Sequence, residues 1–322
     1  MRIVTADDLR RIFTFERLIE ALRAAFRDGI VTPPRHRHTI ERSGAPDATL
    51  LLMPAWDGGE AGAGGYVGVK IVSVYPDNAA RGLASVSGSY ILMDGTTGLP
   101  LALIDGSALT LWRTAAASAL AASYLAREDA RRLVVVGAGA LAPYLIDAHA
   151  SVRPIAEVSV WNHRPERAEK LAAALGGRPF TVRAVADLEA AVRAADIVST
   201  ATLASEPLVM GAWLQLGAHL DLVGTYTPAM RESDDVAVRR ARIFVDTRAG
   251  ALKEAGDILQ PIRAGVIAEA DIGGDLFDLC RGEVQGRRSN EEITLFKSVG
   301  TALEDLAAAS LAMTSEPAPG GG

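Results

Sequence analysis

A run of β-branched residues that ends on a glycine turn constrains this chain most. Leu133-Val134-Val135-Val136 is apolar throughout and leads directly into Gly137-Ala138-Gly139-Ala140-Leu141-Ala142, a G-x-G-x-x-A pattern. A second strand, Glu157 to Trp161, follows after an interval long enough for one helix. Strand, glycine turn, helix and strand together are the context in which this pattern binds a dinucleotide. Gly137 permits the tight turn, Gly139 lets a pyrophosphate approach the backbone, and Ala142 lets the helix pack close to the strand. Ala140 and Leu141 lie at the helix start, where N–H groups and the positive end of the helix dipole face the phosphates.

The end of the second strand bears on which dinucleotide. An acidic residue there would hold the 2′-hydroxyl of an NAD ribose. This chain has Asn162-His163-Arg164 instead. Asn162 can donate to a 2′-phosphate, and Arg164 can pair with it as a charge-assisted fork. The expectation is NADPH, with NADH weaker. The alternative is that Arg164 is an ordinary solvated residue ahead of Pro165 at a helix start.

The rest of the chain supplies a matching pattern. From residue 131 onward, strands alternate with helical stretches: Leu133–Val136, Val158–Trp161, Thr181–Val185, Ile197–Thr200, His219–Val223 and Ile243–Val245. That rhythm predicts an α/β fold with a Rossmann-type, doubly wound parallel sheet. Residues 1 to about 28 read as helical, capped by Thr5 or Asp7, with Phe13, Leu18, Ile19, Leu22 and Phe26 as an apolar stripe. Residues 31 to 106 change to short β-rich runs broken by glycine and proline, an antiparallel sheet or barrel. A helix is expected over Thr110–Ala126, capped by Thr110, and a long Ala-rich helix over Thr294–Met313. Ser315 to Gly322 has the composition of a frayed tail.

Composition excludes several function classes. With 322 residues, 49% of them hydrophobic, there is enough chain for two domains with substantial cores. A net charge of −6 disfavours nucleic-acid and anionic-membrane partners. No run reaches membrane-spanning length. Acidic residues interrupt the N-terminal segment where a signal peptide would be apolar, so the expected location is cytoplasmic. The single cysteine, Cys280, reads as a buried small apolar residue. The histidines have no familiar metal-ligand spacing, and His36 and His38, two apart, are expected on one face of a strand.

Three cations outside the nucleotide-binding pattern break local preference. Arg35 follows Thr32-Pro33-Pro34, Lys70 lies inside the apolar run Val67–Tyr75, and Arg113 stands near a helix start, where the dipole disfavours it. A strand lysine is more often an edge or snorkelling residue. Together the three would suit a carboxylate, which a guanidinium binds at two points.

The blocks Met53-Pro54-Ala55-Trp56, Gly68-Val69-Lys70, Pro76-Asp77-Asn78, Thr97-Gly98-Leu99-Pro100, Leu109-Thr110-Leu111-Trp112-Arg113-Thr114-Ala115-Ala116, Val136-Gly137-Ala138-Gly139 and Phe296-Lys297-Ser298-Val299-Gly300 occur in this order. In this the chain resembles the ornithine cyclodeaminase/μ-crystallin family over nearly its whole length. The resemblance implies a homodimer, with residues 1–123 and 302–322 forming a mixed α+β substrate and dimerisation domain and residues 124–301 the Rossmann domain. It implies that Arg35, Lys70 and Arg113 gather round a substrate carboxylate. It also implies that Ser85, Arg113, Thr114, Thr200, Ala201, Thr202, Val223, Gly224 and Thr225 lie around the nicotinamide and ribose.

Members of this family perform several chemistries. Cyclodeaminases carry an aspartate in a G-G-D-x-P-G-K-x-E stretch, which here reads Gly224-Thr225-Tyr226-Thr227-Pro228-Ala229-Met230-Arg231-Glu232. Tyr226 stands in the aspartate's place, and a phenol with a pKa of about 10 is a poor base at neutral pH. Residues 33–36 and 223–228 are more similar to members that reduce Δ1-pyrroline-2-carboxylate and Δ1-piperideine-2-carboxylate. The expectation is therefore an NADPH-dependent reductase of small anionic cyclic imines. Lys70 would donate the proton, Arg35 and Arg113 would clamp the carboxylate, and Tyr226 would line the pocket or relay a proton. An amino-acid dehydrogenase, a cyclodeaminase and a non-catalytic NADPH-binding crystallin are the alternatives.

Overall fold

The computed structural model describes residues 1–57 and 65–315. The tail beyond Ser315 that composition marks as frayed lies outside the described residues. The chain divides into two compact units, the first made of Met1–Arg113 and the chain from Thr301 onward, the second of Thr114–Gly300.

The first unit is a sheet covered by helices. Strands β1 (Arg2–Val4), β2 (Ile30–Val31), β3 (His36–Ile40), β4 (Ala48–Asp57), β5 (Tyr66–Val74), β6 (Val86–Asp94) and β7 (Pro100–Asp105) are ordered β1-β7-β6-β5-β4-β2, with β3 also paired to β4. The β1–β7 pair is parallel and the others are antiparallel, so the sheet is mixed. Alternation along the strands sorts most of the core: Met53 and Ala55 of β4, Gly68 and Lys70 of β5, Tyr90 and Leu92 of β6, and Ala102 and Ile104 of β7 are buried, as is Ala48 at the start of β4. Helix α1 (Ala6–Ile12) is closed by a Thr5–Asp8 capping box, and a break at Phe13-Thr14 separates it from α2 (Phe15–Asp28). Residues 1–28 are thus a short strand and two helices, and Thr14 caps the second. Their expected stripe is buried. His36 and His38 lie on β3 with ring centroids 6.5 Å apart.

Helix α3 (Gly106–Leu125) runs across the division between the units. It starts a turn earlier than the sequence suggests. Thr110 is not its cap, because the hydroxyl donates back to the Gly106 carbonyl inside the helix. Arg113 therefore lies in the second turn rather than at the start.

The second unit is a parallel sheet of β8 (Arg132–Val136), β9 (Glu157–Trp161), β10 (Thr181–Ala184), β11 (Ile197–Thr200), β12 (His219–Leu222), β13 (Arg242–Val245), β14 (Ile272–Asp275) and β15 (Thr294–Lys297). Their order is β10-β9-β8-β11-β12-β15-β13-β14. Helices α4 (Ala142–Val152), α5 (Pro165–Ala174), α6 (Leu188–Ala194), α7 (Asp235–Arg240), α8 (Arg248–Glu254), α9 (Gly256–Arg263) and α10 (Leu276–Arg281) connect them. Leu133 to Val136 are buried, as a central strand covered on both faces requires. The winding reverses between β8 and β11, which pair in register from Ile197 opposite Leu133 to Thr200 opposite Val136. A ligand of a doubly wound sheet binds beyond the strand ends at such a switch point.

Two strands go beyond the sequence expectation, β14 and β15. Thr294–Lys297 does not open the last helix; it is buried between β12 and β13, and α11 (Ala302–Thr314) begins only after the Thr301 cap. In the first unit α11 packs on α2, β4, β5 and β6. Cys280 is half-buried rather than buried.

Candidate active site

The first unit holds a buried charge cluster on the sheet face under α11. Strand alternation turns Lys70 to the side of that helix, and its side chain is only 3% exposed. The Lys70 ammonium donates to Asp305 Oδ1 at 2.8 Å and lies 2.7 Å from Oδ2. The Arg113 Nε donates to the same Oδ1 at 3.0 Å, and an Nη donates to Glu304 at 2.7 Å. Both carboxylates are fully buried. Arg35 is half-buried, and its charge acts on Lys70 and Asp305. Burial, then the charges of Arg113 and Arg35, lowers the Lys70 pKa to about 8 against the opposing pull of Asp305. Desolvation therefore outweighs the like-charge effect expected from sequence. Asp305 is held below the usual carboxylate range by Lys70 and Arg113, despite its burial.

The structure thus brings Lys70 and Arg113 onto one carboxylate, with Arg35 within electrostatic reach. Asp305 and Glu304 were not legible as site residues. In sequence they are two acids in the first turn of a helix, where a favourable dipole interaction accounts for them. Their one distinguishing signal is placement in an otherwise Ala- and Leu-rich segment that is buried throughout its first two turns.

The second unit holds the glycine cradle. Gly137 has φ +112°, and a Cβ on it would lie 2.6 Å from the Ala201 carbonyl oxygen. This position therefore requires glycine on both counts. At Gly139, no heavy atom lies within 4 Å of where a Cβ would stand. Helix α4 begins without a side-chain cap; the Ala142 N–H donates to the Gly139 carbonyl at 3.1 Å, and Pro143 has no N–H to offer. The open space over Gly139 fits the pyrophosphate of a dinucleotide. Gly139 and Ala140 are exposed and Leu141 half-buried. At the end of β9, His163 and Arg164 are exposed, and the Asn162 amide donates to the Arg164 carbonyl at 3.0 Å.

The loops after β11 and β12 are locked from below. Glu232 accepts from the Thr202 N–H (2.8 Å), the Thr202 hydroxyl (2.7 Å) and the Gly224 N–H (3.0 Å). The Thr225 hydroxyl donates to Asp257 at 2.6 Å, and the buried Lys297 ammonium donates to the Thr225 carbonyl at 2.6 Å. Asp257 also accepts the N–H groups of Glu232 and Ser233. Burial raises the Glu232 pKa against the pull of Lys297. A Cβ on Gly224 would stand 2.1 Å from the Thr202 backbone, so only glycine lets the two loops meet. Thr200 and Val223 are buried at the strand ends, and Ala201 is half-buried. Tyr226 is 43% exposed. Ser85 sits in a bend before β6, where its carbonyl accepts from Tyr75, and Thr114 is half-buried on α3. Among the described residues no group of three or more His, Cys, Asp or Glu could hold a metal ion.

A doubly wound parallel sheet with an open glycine cradle at its switch point defines a dinucleotide-binding protein of the Rossmann type. More specifically, the chain belongs to the ornithine cyclodeaminase/mu-crystallin family, whose sequence model matches residues 3–316. It is 42% identical over 296 residues to the Delta(1)-pyrroline-2-carboxylate reductase of Paracoccus denitrificans, covering 89% of this chain and 92% of that one. The structure of the Thermococcus litoralis Delta(1)-pyrroline-2-carboxylate reductase in complex with NADH and L-proline superposes with a TM-score of 0.88 at 37% identity, over 97% of this chain and 96% of that one. An archaeal alanine dehydrogenase dimer with bound NAD gives 0.87 at 30% identity, over 97% and 94%.

Proposed function

We propose that the protein is an NADPH-dependent ketimine reductase, converting Δ1-pyrroline-2-carboxylate to L-proline and Δ1-piperideine-2-carboxylate to L-pipecolate. The observation that carries this reading is a buried lysine with a pKa of about 8, paired with Asp305 beside the buried Arg113 and acted on by the charge of Arg35. Three cations gathered in this way suit a substrate carboxylate. Likeness to two pyrroline-2-carboxylate reductases, one solved with NADH and L-proline, supports the same chemistry.

The residues divide the work. Arg35 and Arg113 bind the carboxylate and so fix which face of C2 is presented, and such orientation can lower a barrier substantially. The Gly137–Leu141 cradle and the loops at Thr200–Thr202 and Val223–Thr225 would hold a reduced nicotinamide dinucleotide, which would supply the hydride. Lys70 Nζ gives its proton to the imine nitrogen as the C=N π pair collapses onto that atom. With a pKa near 8, Lys70 remains mostly protonated at neutral pH and is a stronger acid than an ordinary lysine. Lys70 then regains a proton from solvent. Asn162, His163 and Arg164 would hold the 2′-phosphate and favour NADPH over NADH. Tyr226 would lie beside the imine ring.

We further infer a homodimer, for which the alanine dehydrogenase dimer is the precedent. No described helix is long and apolar enough to cross a membrane, and a cytoplasmic location is part of this reading. The test is product analysis with each cyclic imine and NADPH. The expected result is one L-proline or L-pipecolate per NADPH consumed, with no ammonia. Ammonia release from an open-chain amino acid with NAD(P)+, and no imine turnover, would replace this reading with a dehydrogenase.

A further inference from the structure

The Lys70 ammonium and the Arg113 guanidinium share a single oxygen, Asp305 Oδ1, and that carboxylate is 0% exposed. Nothing in the reduction itself requires an acid at this place. A buried carboxylate carries a large desolvation cost unless it is fully paired, so its presence in the core needs an account. Two features supply one. Asp305 enters from α11, whereas Lys70 comes from β5 and Arg113 from α3, so one carboxylate ties together side chains from three separate elements. It is also the anionic group bonded to Lys70, while the other charges acting on that lysine, Arg113 and Arg35, are cations that drive its proton off.

We propose that Asp305 is the positioning residue of this site, fixing the Lys70 ammonium and the Arg113 guanidinium in register and keeping the proton on Lys70 until the imine nitrogen takes it. The inference rests on the reading of Lys70 as proton donor. The groups facing Lys70 are Arg113 on α3, Asp305 and its neighbour Glu304 on α11, Tyr90 opposite on β6, and Arg35 ahead of β3. Tyr90 is buried and its pKa is raised well above the ordinary value by burial and by Asp305, so it stays neutral and does not offset the loss of Asp305. Removing the charge of Asp305 leaves the cations Arg113 and Arg35 as the named charges acting on Lys70. Its proton affinity then falls.

The experiment compares the pH dependence of kcat/KM for imine reduction in the wild type, Asp305→Asn and Asp305→Glu, with NADPH binding measured on each as a check of folding. The substrate's own ionisation is common to all three and cancels. In the wild type, activity falls as pH rises through the Lys70 pKa of about 8. In Asp305→Asn this alkaline limb is expected to move down by one unit or more. Activity would be about eightfold lower or more at pH 8.5, as the protonated fraction requires, and would recover substantially toward pH 6. A structural role alone does not produce recovery in acid. Asp305→Glu keeps the charge with altered reach, and the limb is expected near the wild-type position with a lower plateau. Equal loss at every pH in Asp305→Asn, with the limb unmoved, overturns the proposal. Should the Asn variant fail to fold, a limb displaced downward in Asp305→Glu overturns it, because the charge is still present. Wild-type protein inactive toward both imines would instead reject the underlying reductase reading.

Discussion

At the scale of single residues, the glycine turn and the buried cations were legible because each breaks a local rule. A lysine amid β-branched neighbours and a glycine pattern after an apolar strand carry information no packing argument absorbs. Asp305 was not legible, because nothing in its own helix distinguishes it from a dipole-stabilising acid; only the fold brings Lys70 to it across 235 residues of sequence. The two glycines of the cradle give separable predictions. Gly137→Ala places a methyl against the Ala201 carbonyl at a φ that L-residues rarely adopt, a strain of about 1–3 kcal/mol. Both the melting temperature and dinucleotide affinity should fall. Gly139→Ala meets no protein atom, so the melting temperature should hold within about a degree while the Kd for NADPH rises at least tenfold. Calorimetry and a binding titration on the two variants separate these outcomes. An unchanged Kd in Gly139→Ala would remove the pyrophosphate from that position.

At the scale of elements, strands of four or five residues between turn signals were readable, and β8, β9, β11, β12 and β13 lie where periodicity places them. The strands that escaped are those whose sequence carries no such signal. β14 reads Ile272-Gly273-Gly274-Asp275, with two glycines that lower strand propensity. β15 reads Thr294-Leu295-Phe296-Lys297 and runs within a few residues of an Ala-rich helix, so a short buried strand and a helical segment were indistinguishable by period. The consequence is functional, since β15 delivers Lys297 beneath the loops at Thr202 and Gly224-Thr225. Lys297→Met leaves Asp257 and Glu232 buried without their cation. Breaking a buried pair in this way costs about 3–5 kcal/mol, read as a lower midpoint in denaturant unfolding. The loss should be smaller when saturating NADPH is present, because ligand binding to the native state offsets part of it. Unchanged stability would mean that the network is not what fixes these loops.

At the scale of the whole molecule, the alternation of strand and helix was enough to give the sheet, and the last helix was expected to return to the N-terminal half, where the chain from Thr301 onward falls in one unit with Met1–Arg113. Protonation also acts at this scale. His219 is fully buried, bonded through Nδ1 to the Thr294 hydroxyl, and burial holds its pKa well below the ordinary value. The unfolded chain binds that proton near pH 6.5 and the folded chain does not, so stability is present at neutral pH and falls as pH drops below about 6.5. Glu232 and Asp246, raised by burial, act with the opposite sign at acid pH. His219→Asn, which keeps an amide near the Nδ1 position, should therefore flatten the slope of stability between pH 7 and 6, and an unchanged slope would assign it elsewhere. The central claim, that Lys70 serves as proton donor in the reduction of a cyclic imine by NADPH, is met most directly by one comparison: imine-dependent NADPH oxidation by the wild type and by Lys70→Met, with the Kd for NADPH measured on both. The account predicts turnover by the wild type with both imines, a loss of about 10²-fold or more in kcat for Lys70→Met, as expected when a general acid is removed, and NADPH affinity unchanged within twofold. Near wild-type turnover in Lys70→Met, or no imine-dependent oxidation by the wild type while NADPH stays bound, would contradict it.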